Sequence, residues 1–249
     1  MKDFIPIPDL MNAQKVLVLV PHPDDAELVA GGTIAMLTAK GVHVEYVIAS
    51  DGSRGGFDPT ISEAEMAAVR RKEQAQAARI LGVEHITWLG FQDTEIPAPN
   101  VVRKPIISLL RKIQPDFVIT IDPWLPYEGH PDHRQTSMAA VEACLFSSLP
   151  MVQMEDLANG LTPWQVTGIA LALSPKPNTF INVEDTWEKK IQSLKCHESQ
   201  FPQEIWDTFY PIICLKSQEY GKAIGAEKAE AFKVLTAAHL HVMPDTWNC

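Results

Sequence analysis

Short apolar runs alternate with helical patterns from residue 15 to residue 148, and this alternation most constrains how the chain can fold. Apolar runs of this length are typical of strands buried on both faces, and helical crossovers between them make neighbouring strands parallel. We therefore predict an α/β fold with a Rossmann-like, mostly parallel sheet and helices on both faces, formed as a single domain over residues 1–249. The predicted strands are 15–20, 42–49, 85–89 and 117–121, and the predicted helices are 28–40, 62–81, 101–113 and 133–148.

The second part of the chain continues with both kinds of element. Strands are predicted near 168–173, 179–183 and 231–235, and helices over 184–197 and 203–220. In an open parallel sheet, the loops that follow the carboxyl ends of the strands form the binding site. The loops at 51–61 and 122–131 are long and rich in Gly and Pro, so we expect the site there.

Charge and composition narrow the choice of partners. The chain has 21 Lys and Arg residues against 31 Asp and Glu residues, which gives a formal net charge of −10. Binders of nucleic acid or of anionic membranes need a basic surface, so we predict neither partner. A neutral or cationic small substrate suits this charge better. None of the four cysteines forms a C-x-x-C pair, so they need not be bridged.

The N-terminal segment and the hydropathy predict a cytoplasmic location. Residues 1–11 contain Lys2, Asp3, Asp9 and two prolines, which does not fit a signal peptide. No apolar run reaches the roughly 18 residues that a transmembrane helix requires.

Two polar clusters follow two of the predicted strands. The first strand leads into Pro21-His22-Pro23-Asp24-Asp25-Ala26-Glu27, and the fourth leads into a loop that ends in His130-Pro131-Asp132-His133. A dinucleotide-binding fold would carry G-x-G-x-x-G at the first turn, and this chain has carboxylates there. His22, Asp25 and His133 would form a site with two histidines and one carboxylate, which leaves a position open for water, as in catalytic zinc sites.

Two further groups in these clusters suit metal-assisted hydrolysis. Asp24 lies beside a predicted ligand and could take a proton from water, and His130 could stabilise a developing oxyanion. The alternative is that Asp24 or Asp25 only caps the following helix and that His130 only closes a turn. Nitrogen and oxygen ligands of this kind suit zinc, but iron, cobalt or nickel could also bind them.

The same residues carry a resemblance to a known family. Residues 21–27, followed by Gly31-Gly32-Thr33, resemble the H-P-D-D-x-E signature of the LmbE-like (PIG-L-type) zinc-dependent de-N-acetylases, and residues 130–133 resemble that family's H-P-D-H motif. Matches at residues 50–52, 70–73, 195–200 and 229–232 extend the resemblance over nearly the whole chain. Residues 88–97, 122–134, 199–202 and 241–244 are most similar to the branch of diacetylchitobiose deacetylases.

The resemblance implies a function and a set of roles. It implies removal of an acetyl group from an N-acetylglucosamine unit, alone or in its dimer, by an enzyme with one zinc per subunit. It also implies a homo-oligomer, either a trimer or a hexamer. The implied metal ligands are His22, Asp25 and His133, with Asp24 as general base, His130 as acid or electrostatic partner, Arg70 and Asp93 as sugar contacts, and His241 reaching a neighbouring subunit's site.

Several alternatives stay open at this point. Trp124 could form an aromatic wall for a sugar ring or could be ordinary packing. Arg70 could be one charge on a solvated helix face, and Asp93 could cap a turn. The chain could instead deacetylate a thiol-sugar conjugate of the mycothiol or bacillithiol type, although the loop at 124–127 and His241 favour the chitobiose branch. It could also bind a sugar without turnover, but the complete polar set, including Asp24 and His130, argues against that.

Overall fold

The computed structural model describes residues 5–243 and 245–249, and seven strands and eight α-helices lie within these ranges. Residues 1–4 of the N-terminal segment and Pro244 of the C-terminal motif lie outside the described residues. The strands are β1 (Lys15–Val20), β2 (His43–Ser50), β3 (His85–Phe91), β4 (Phe117–Ile121), β5 (Gly168–Ala172), β6 (Thr179–Asn182) and β7 (Ala229–Leu235). The helices are α1 (Asp25–Ala39), α2 (Glu63–Ile80), α3 (Pro99–Ile113), α4 (Pro131–Phe146), α5 (Met154–Ala158), α6 (Trp187–Leu194), α7 (Gln203–Lys222) and α8 (Ala237–His241).

The seven strands form one sheet in the order β3-β2-β1-β4-β5-β7-β6. β1 to β5 pair in parallel, and β7 is antiparallel to both of its neighbours. The predicted α/β fold with a mostly parallel sheet is therefore confirmed.

The side chains of β1 show how the sheet is covered on both faces. Val16, Val18 and Val20 pack into a core cluster that includes the buried side of α1. Leu17 and Leu19 point to the other face, where α3 and α4 cover them. Successive side chains of a strand point to opposite faces, so an uninterrupted apolar run needs a helical layer on each side.

The order of the strands creates a crevice between β1 and β4. From β1 the chain moves outward through β2 to β3, and from β4 it continues to β5 on the other side. Connections from β1 and β4 therefore diverge, which leaves an opening at the carboxyl ends of these two strands. The two polar clusters of the sequence lie in the loops at this opening.

Several element boundaries differ from those predicted. α1 begins at Asp25 rather than residue 28, and α4 begins at Pro131 rather than residue 133. Proline suits the first position of a helix because its fixed φ matches the helix and its missing N–H needs no partner. The region predicted as one helix over 184–197 is a 3₁₀ turn, Glu184–Thr186, followed by α6. The short helices α5 and α8 were not predicted.

Among the described residues, no helix combines the length and the apolar character needed to cross a membrane.

Candidate metal centre and active site

Polar side chains from four loops and from helices α1, α2 and α4, together with Gln200, surround a cavity of about 210 Å³ at the carboxyl edge of the sheet. The loops follow β1, β2, β3 and β4, whose parallel alignment places their carboxyl ends on one edge. Seven of the nine predicted site residues line this cavity. The lining residues are His22, Asp24, Asp25, Arg54, Gly55, Arg70, Asp93, Thr94, His130, His133 and Gln200.

His22, Asp25 and His133 each turn one ligand atom toward the same point. Asp25 Oδ2 lies 3.4 Å from His22 Nδ1 and 3.7 Å from His133 Nε2. The three ligand atoms all lie within 4.8 Å of one another. Two imidazole nitrogens and one carboxylate oxygen form a donor set that fits a catalytic zinc ion and leaves a coordination position open.

The other nitrogen of each histidine faces a carboxylate. His22 Nε2 lies 3.2 Å from Asp93 Oδ1 and 3.2 Å from Asp132 Oδ2, and His133 Nδ1 lies 3.1 Å from Glu128 Oε2. Histidines that bind a metal usually donate their second N–H to such a group, which fixes the ring and the tautomer. This arrangement leaves His22 Nδ1 and His133 Nε2 as the nitrogens available to a metal.

A second group of possible ligands, which shares His22, fits a metal less well. It contains His22, Asp93, His130 and Asp132. Asp132 is fully buried, and its carboxylate already accepts hydrogen bonds from the backbone N–H groups of Thr94, at 2.8 Å, and Ile96, at 3.4 Å. Asp132 therefore serves better as a support for His22 than as a ligand.

The pKa values of the adjacent carboxyl groups of Asp24 and Asp25 are shifted in opposite directions. Burial raises the pKa of Asp24 to about 6, although the charge of Arg70 opposes the shift. Burial also acts to raise the pKa of Asp25, but His133 and His22 outweigh it and lower that pKa. Neighbouring carboxyl groups with pKa values shifted apart are typical of sites where one group stays ionised and the other transfers protons.

The imidazole of His22 and the carboxylate of Asp93 stabilise each other's charged forms. Burial would lower the pKa of His22, but hydrogen bonds to Asp132, Asp25 and Asp93 raise it well above the usual value. Burial would raise the pKa of Asp93, but its hydrogen bond and charge interaction with His22 lower it to about 2. Asp93 is thus in contact with a proposed ligand and does more than cap a turn.

Arg70 does not lie on a solvated helix face, because only 3% of its surface is exposed. Its guanidinium donates to the carbonyl oxygens of Pro23, at 2.7 Å, and Gly52, at 3.2 Å. It also lies 3.2 Å from Asp24 Oδ2 and 3.6 Å from Asp93 Oδ2. Four protein oxygens therefore hold this group at the wall of the cavity.

His130 caps a helix and also lies beside the two proposed ligand histidines. Its Nδ1 accepts a hydrogen bond from the N–H of Asp132 and so caps α4. Its ring centroid also lies 4.7 Å from that of His22 and 5.0 Å from that of His133. Burial and the charges of His22 and His133 lower its pKa, which favours the neutral ring with its proton on Nε2.

Two predicted residues do not reach this cavity within one chain. Trp124 is about half exposed and lines a separate cavity of about 400 Å³, together with Trp247 and Lys176. His241 is exposed at the end of α8 and does not line the metal cavity.

Sequence reasoning missed the supporting roles of Glu128 and Asp132, which hold the second nitrogens of the two histidines. Both lie within a few residues of His130 and His133, but that spacing does not say which nitrogen a carboxylate faces. It also missed Gln74, which contacts the backbone of Asp24 from α2.

Comparisons with known proteins show the family to which the chain belongs. The PIG-L family model, described as GlcNAc-PI de-N-acetylase, matches residues 17–144. A diacetylchitobiose deacetylase of Thermococcus kodakarensis is 40% identical over 233 residues, covering 94% of this chain and 87% of the relative. A probable N-acetyl-α-D-glucosaminyl L-malate deacetylase 2 of Bacillus anthracis is 29% identical over 205 residues, covering 79% of this chain and 85% of the relative. The solved structure of an N,N′-diacetylchitobiose deacetylase from Pyrococcus horikoshii, with an inhibitor bound, superposes with a TM-score of 0.91 at 43% identity, covering 94% of this chain and 88% of that one.

Proposed function

Because the chain belongs to the PIG-L family of de-N-acetylases, we propose that it hydrolyses the N-acetyl group of an N-acetylglucosamine unit, in diacetylchitobiose or free N-acetylglucosamine, and releases acetate and the free amine. The observation that carries this proposal is the placement of Asp24 beside the group of His22, Asp25 and His133, in the same cavity. That combination offers a metal site and a separate proton acceptor, which hydrolysis of an unactivated amide requires.

His22 Nδ1, Asp25 and His133 Nε2 are the atoms that would hold the metal, and zinc suits this donor set. A divalent metal held there would supply Lewis acidity, which polarises the acetyl carbonyl and makes water more acidic. We propose one zinc ion per subunit.

Asp24 is the proposed general base. Its carboxylate accepts a proton from water as the water oxygen bonds to the acetyl carbon, and it returns that proton to the nitrogen as the C–N bond breaks. His130, with its proton on Nε2, donates a hydrogen bond to the acetyl oxygen as negative charge develops there. The second proton of the water first remains on the acetic acid and then passes to the amine, so the products at neutral pH are acetate and the protonated amine.

Sugar recognition is assigned to the walls of the cavity. Asp93 and the guanidinium of Arg70 line it and are the proposed contacts for sugar hydroxyl groups. Trp124 lies in the same loop as His130 but lines a separate cavity. Its proposed role is therefore an aromatic wall for the second ring of a disaccharide.

We also propose that the protein acts in the cytoplasm as a homo-oligomer, a trimer or a hexamer, in which His241 completes the cavity of a neighbouring subunit. The exposure of His241 supports this idea, since within its own chain it does not line the cavity.

The alternative is de-N-acetylation of a thiol-sugar conjugate of the mycothiol or bacillithiol type. A related candidate is the malate-bearing sugar for which the Bacillus anthracis relative is named, and it is less compatible with the charges of the cavity. Both arginines that line it are already paired: Arg54 with Glu63 and Glu95, and Arg70 with Asp24 and Asp93. A malate group would therefore meet carboxylates without an uncommitted arginine among the lining residues. The lower identity of the malate-sugar relative points the same way.

An acetate-release assay tests the proposal. The protein is stripped of metal with a chelator, reloaded with zinc, and given N-acetylglucosamine, diacetylchitobiose or N-acetylglucosaminyl malate. We expect zinc-dependent acetate release from the first two and much less from the third. Preference for the malate compound would support the alternative, and absence of zinc-dependent release from every substrate would overturn the enzymatic proposal.

A further inference from the structure

The backbone of Asp24 has an unusual conformation for a residue with a side chain. Its φ is 103° and its ψ is −31°, and its side chain makes no capping hydrogen bond to α1. Residues that carry a Cβ atom rarely adopt positive φ because of steric crowding. Contacts from elsewhere in the fold must therefore hold this residue, and the direction of its carboxylate depends on them.

Two side chains from α2 supply these contacts. Gln74 Oε1 accepts a hydrogen bond from the N–H of Asp24, at 3.0 Å. Arg70, one turn earlier on the same helix face, donates to Pro23 O and contacts Asp24 Oδ2. Arg70 thus holds the carbonyl before Asp24 and the carboxylate itself, while Gln74 holds the amide between them.

A second buried residue fixes which end of the Gln74 amide faces Asp24. Gln74 Nε2 donates to Glu27 Oε1 at 2.9 Å, and Glu27 Oε2 lies 3.4 Å from His197 Nε2. Gln74, Glu27 and His197 are each fully buried. A flipped amide would turn its NH₂ group toward the N–H of Asp24 and its oxygen toward the carboxylate of Glu27, so both contacts would be lost.

We propose that Gln74 is the positioning residue of the catalytic base: its amide, oriented by Glu27, holds the strained backbone of Asp24 so that the carboxylate points into the cavity. The inference rests on the proposed function, in which Asp24 is the base. Gln74 itself does not line the cavity, so it acts only through Asp24.

The first test removes the amide. Gln74→Ala should lower kcat by about 10- to 100-fold, because a small misplacement of a catalytic group costs that much. KM and the bound zinc should stay unchanged, because the proposed ligands and the cavity wall are untouched. Gln76→Ala, the same change at an exposed position of α2, is the matched control and should keep full kcat. Wild-type kcat in Gln74→Ala, or an equal loss in the control, would overturn the proposal.

A charge-preserving swap separates positioning from general stability. Gln74→Glu keeps an oxygen for the N–H of Asp24. It also places a second carboxylate beside that of Glu27, and the two repel each other, so kcat should fall. Adding Glu27→Gln restores one donor and one acceptor at the contact, so the double variant should recover most of the lost kcat. Unfolding midpoints identify any variant that fails to fold. A folded double variant that stays as slow as Gln74→Glu would contradict the proposed orientation by Glu27.

The closing experiment is a double-mutant cycle with Asp24→Asn, which should itself lower kcat by about 10²-fold or more with zinc still bound. If Gln74 acts through Asp24, then Gln74→Ala should cause no further loss in the Asp24→Asn background. An equal loss in both backgrounds would show that Gln74 acts elsewhere and would overturn its role, while leaving Asp24 as the base. Normal turnover of Asp24→Asn alone would instead overturn the base assignment, and this result needs no Gln74 variant.

Discussion

Asp24 and Asp25 are neighbours in the sequence, yet their carboxylates meet different partners. Asp25 contacts His22 and His133, whereas Asp24 contacts Arg70. The positive φ of Asp24 turns the chain just before α1 begins, so the two side chains leave in different directions. Asp24 can then serve as the proposed base while the next residue, Asp25, belongs to the proposed metal site.

At the residue scale, His133→Ala should abolish stoichiometric zinc binding while the protein stays folded, because it removes one of the three proposed ligands from the wall of the cavity. Metal analysis of the purified variant, together with its unfolding midpoint, is the measurement. His43→Ala is the control, since His43 is exposed and contacts Glu45 and His85 on β2 and β3. Full zinc occupancy in His133→Ala would remove this residue from the site.

Glu128→Gln should weaken zinc binding by about 10- to 100-fold, the usual effect of losing a carboxylate that supports a ligand histidine. The change keeps the size of the side chain but removes the charge that faces His133 Nδ1. Competition with a chromogenic chelator measures the affinity, and Glu219→Gln, at an exposed surface ion pair, is the matched control. Unchanged affinity would mean that Glu128 does not support the ligand.

At the scale of elements, β4, which lies on one side of the crevice, packs closely against β5 on its other side. β4 and β5 pair with Phe117 opposite Gly168, and Gly168 has no side chain to compete with that ring. A Cβ atom placed at residue 168 would meet the Phe117 ring. The glycine therefore lets a large aromatic side chain occupy the space between two fully buried strands.

Gly168→Ala should destabilise the fold by about 1–3 kcal/mol, as overpacking of a filled core usually does. Urea unfolding of the purified protein measures this loss. Gly129→Ala is the control for stability, because a Cβ atom at that exposed glycine would have no neighbour within 4 Å. Adding Phe117→Leu to Gly168→Ala should return part of the lost free energy of unfolding, and the absence of any recovery would place the strain elsewhere.

At the scale of the whole molecule, one subunit supplies the proposed metal ligands and the proposed base, but His241 stays outside its own cavity. The shared-site proposal makes a prediction about mixtures. Asp24→Asn protein and His241→Ala protein should each be inactive, yet their mixture, under conditions that exchange subunits, should recover some activity. Some interfaces would then pair an intact Asp24 with an intact His241.

The control mixture combines Asp24→Asn with His133→Ala protein. Asp24 and His133 both line the cavity of their own subunit. Every subunit of that mixture has an intact His241, but every cavity still lacks either Asp24 or His133, so the mixture should stay inactive. Dilution to monomers should abolish wild-type activity. Full activity of His241→Ala, or no recovery in the first mixture, would mean that each subunit is complete by itself.

The sequence by itself determined the strands, their mostly parallel arrangement, most of the helices and the positions of the polar clusters. The pattern that identifies a buried strand or a helix is local, because it repeats every two or 3.6 residues. The motifs around His22 and His133 are local too, and the alternation of elements already implied that parallel strands would bring them to one edge.

Only the tertiary structure decided which groups face each other at that edge. His22 meets Asp132 across 110 positions of the chain, and Asp24 meets Gln74 across 50. The burial of Arg70, the carboxylates behind the two histidines and the separation of Trp124 from the metal cavity also depend on strand order and helix packing. Contacts between residues so far apart in sequence leave no periodic trace in the chain, since side-chain direction is set by the packing of distant elements rather than by local spacing.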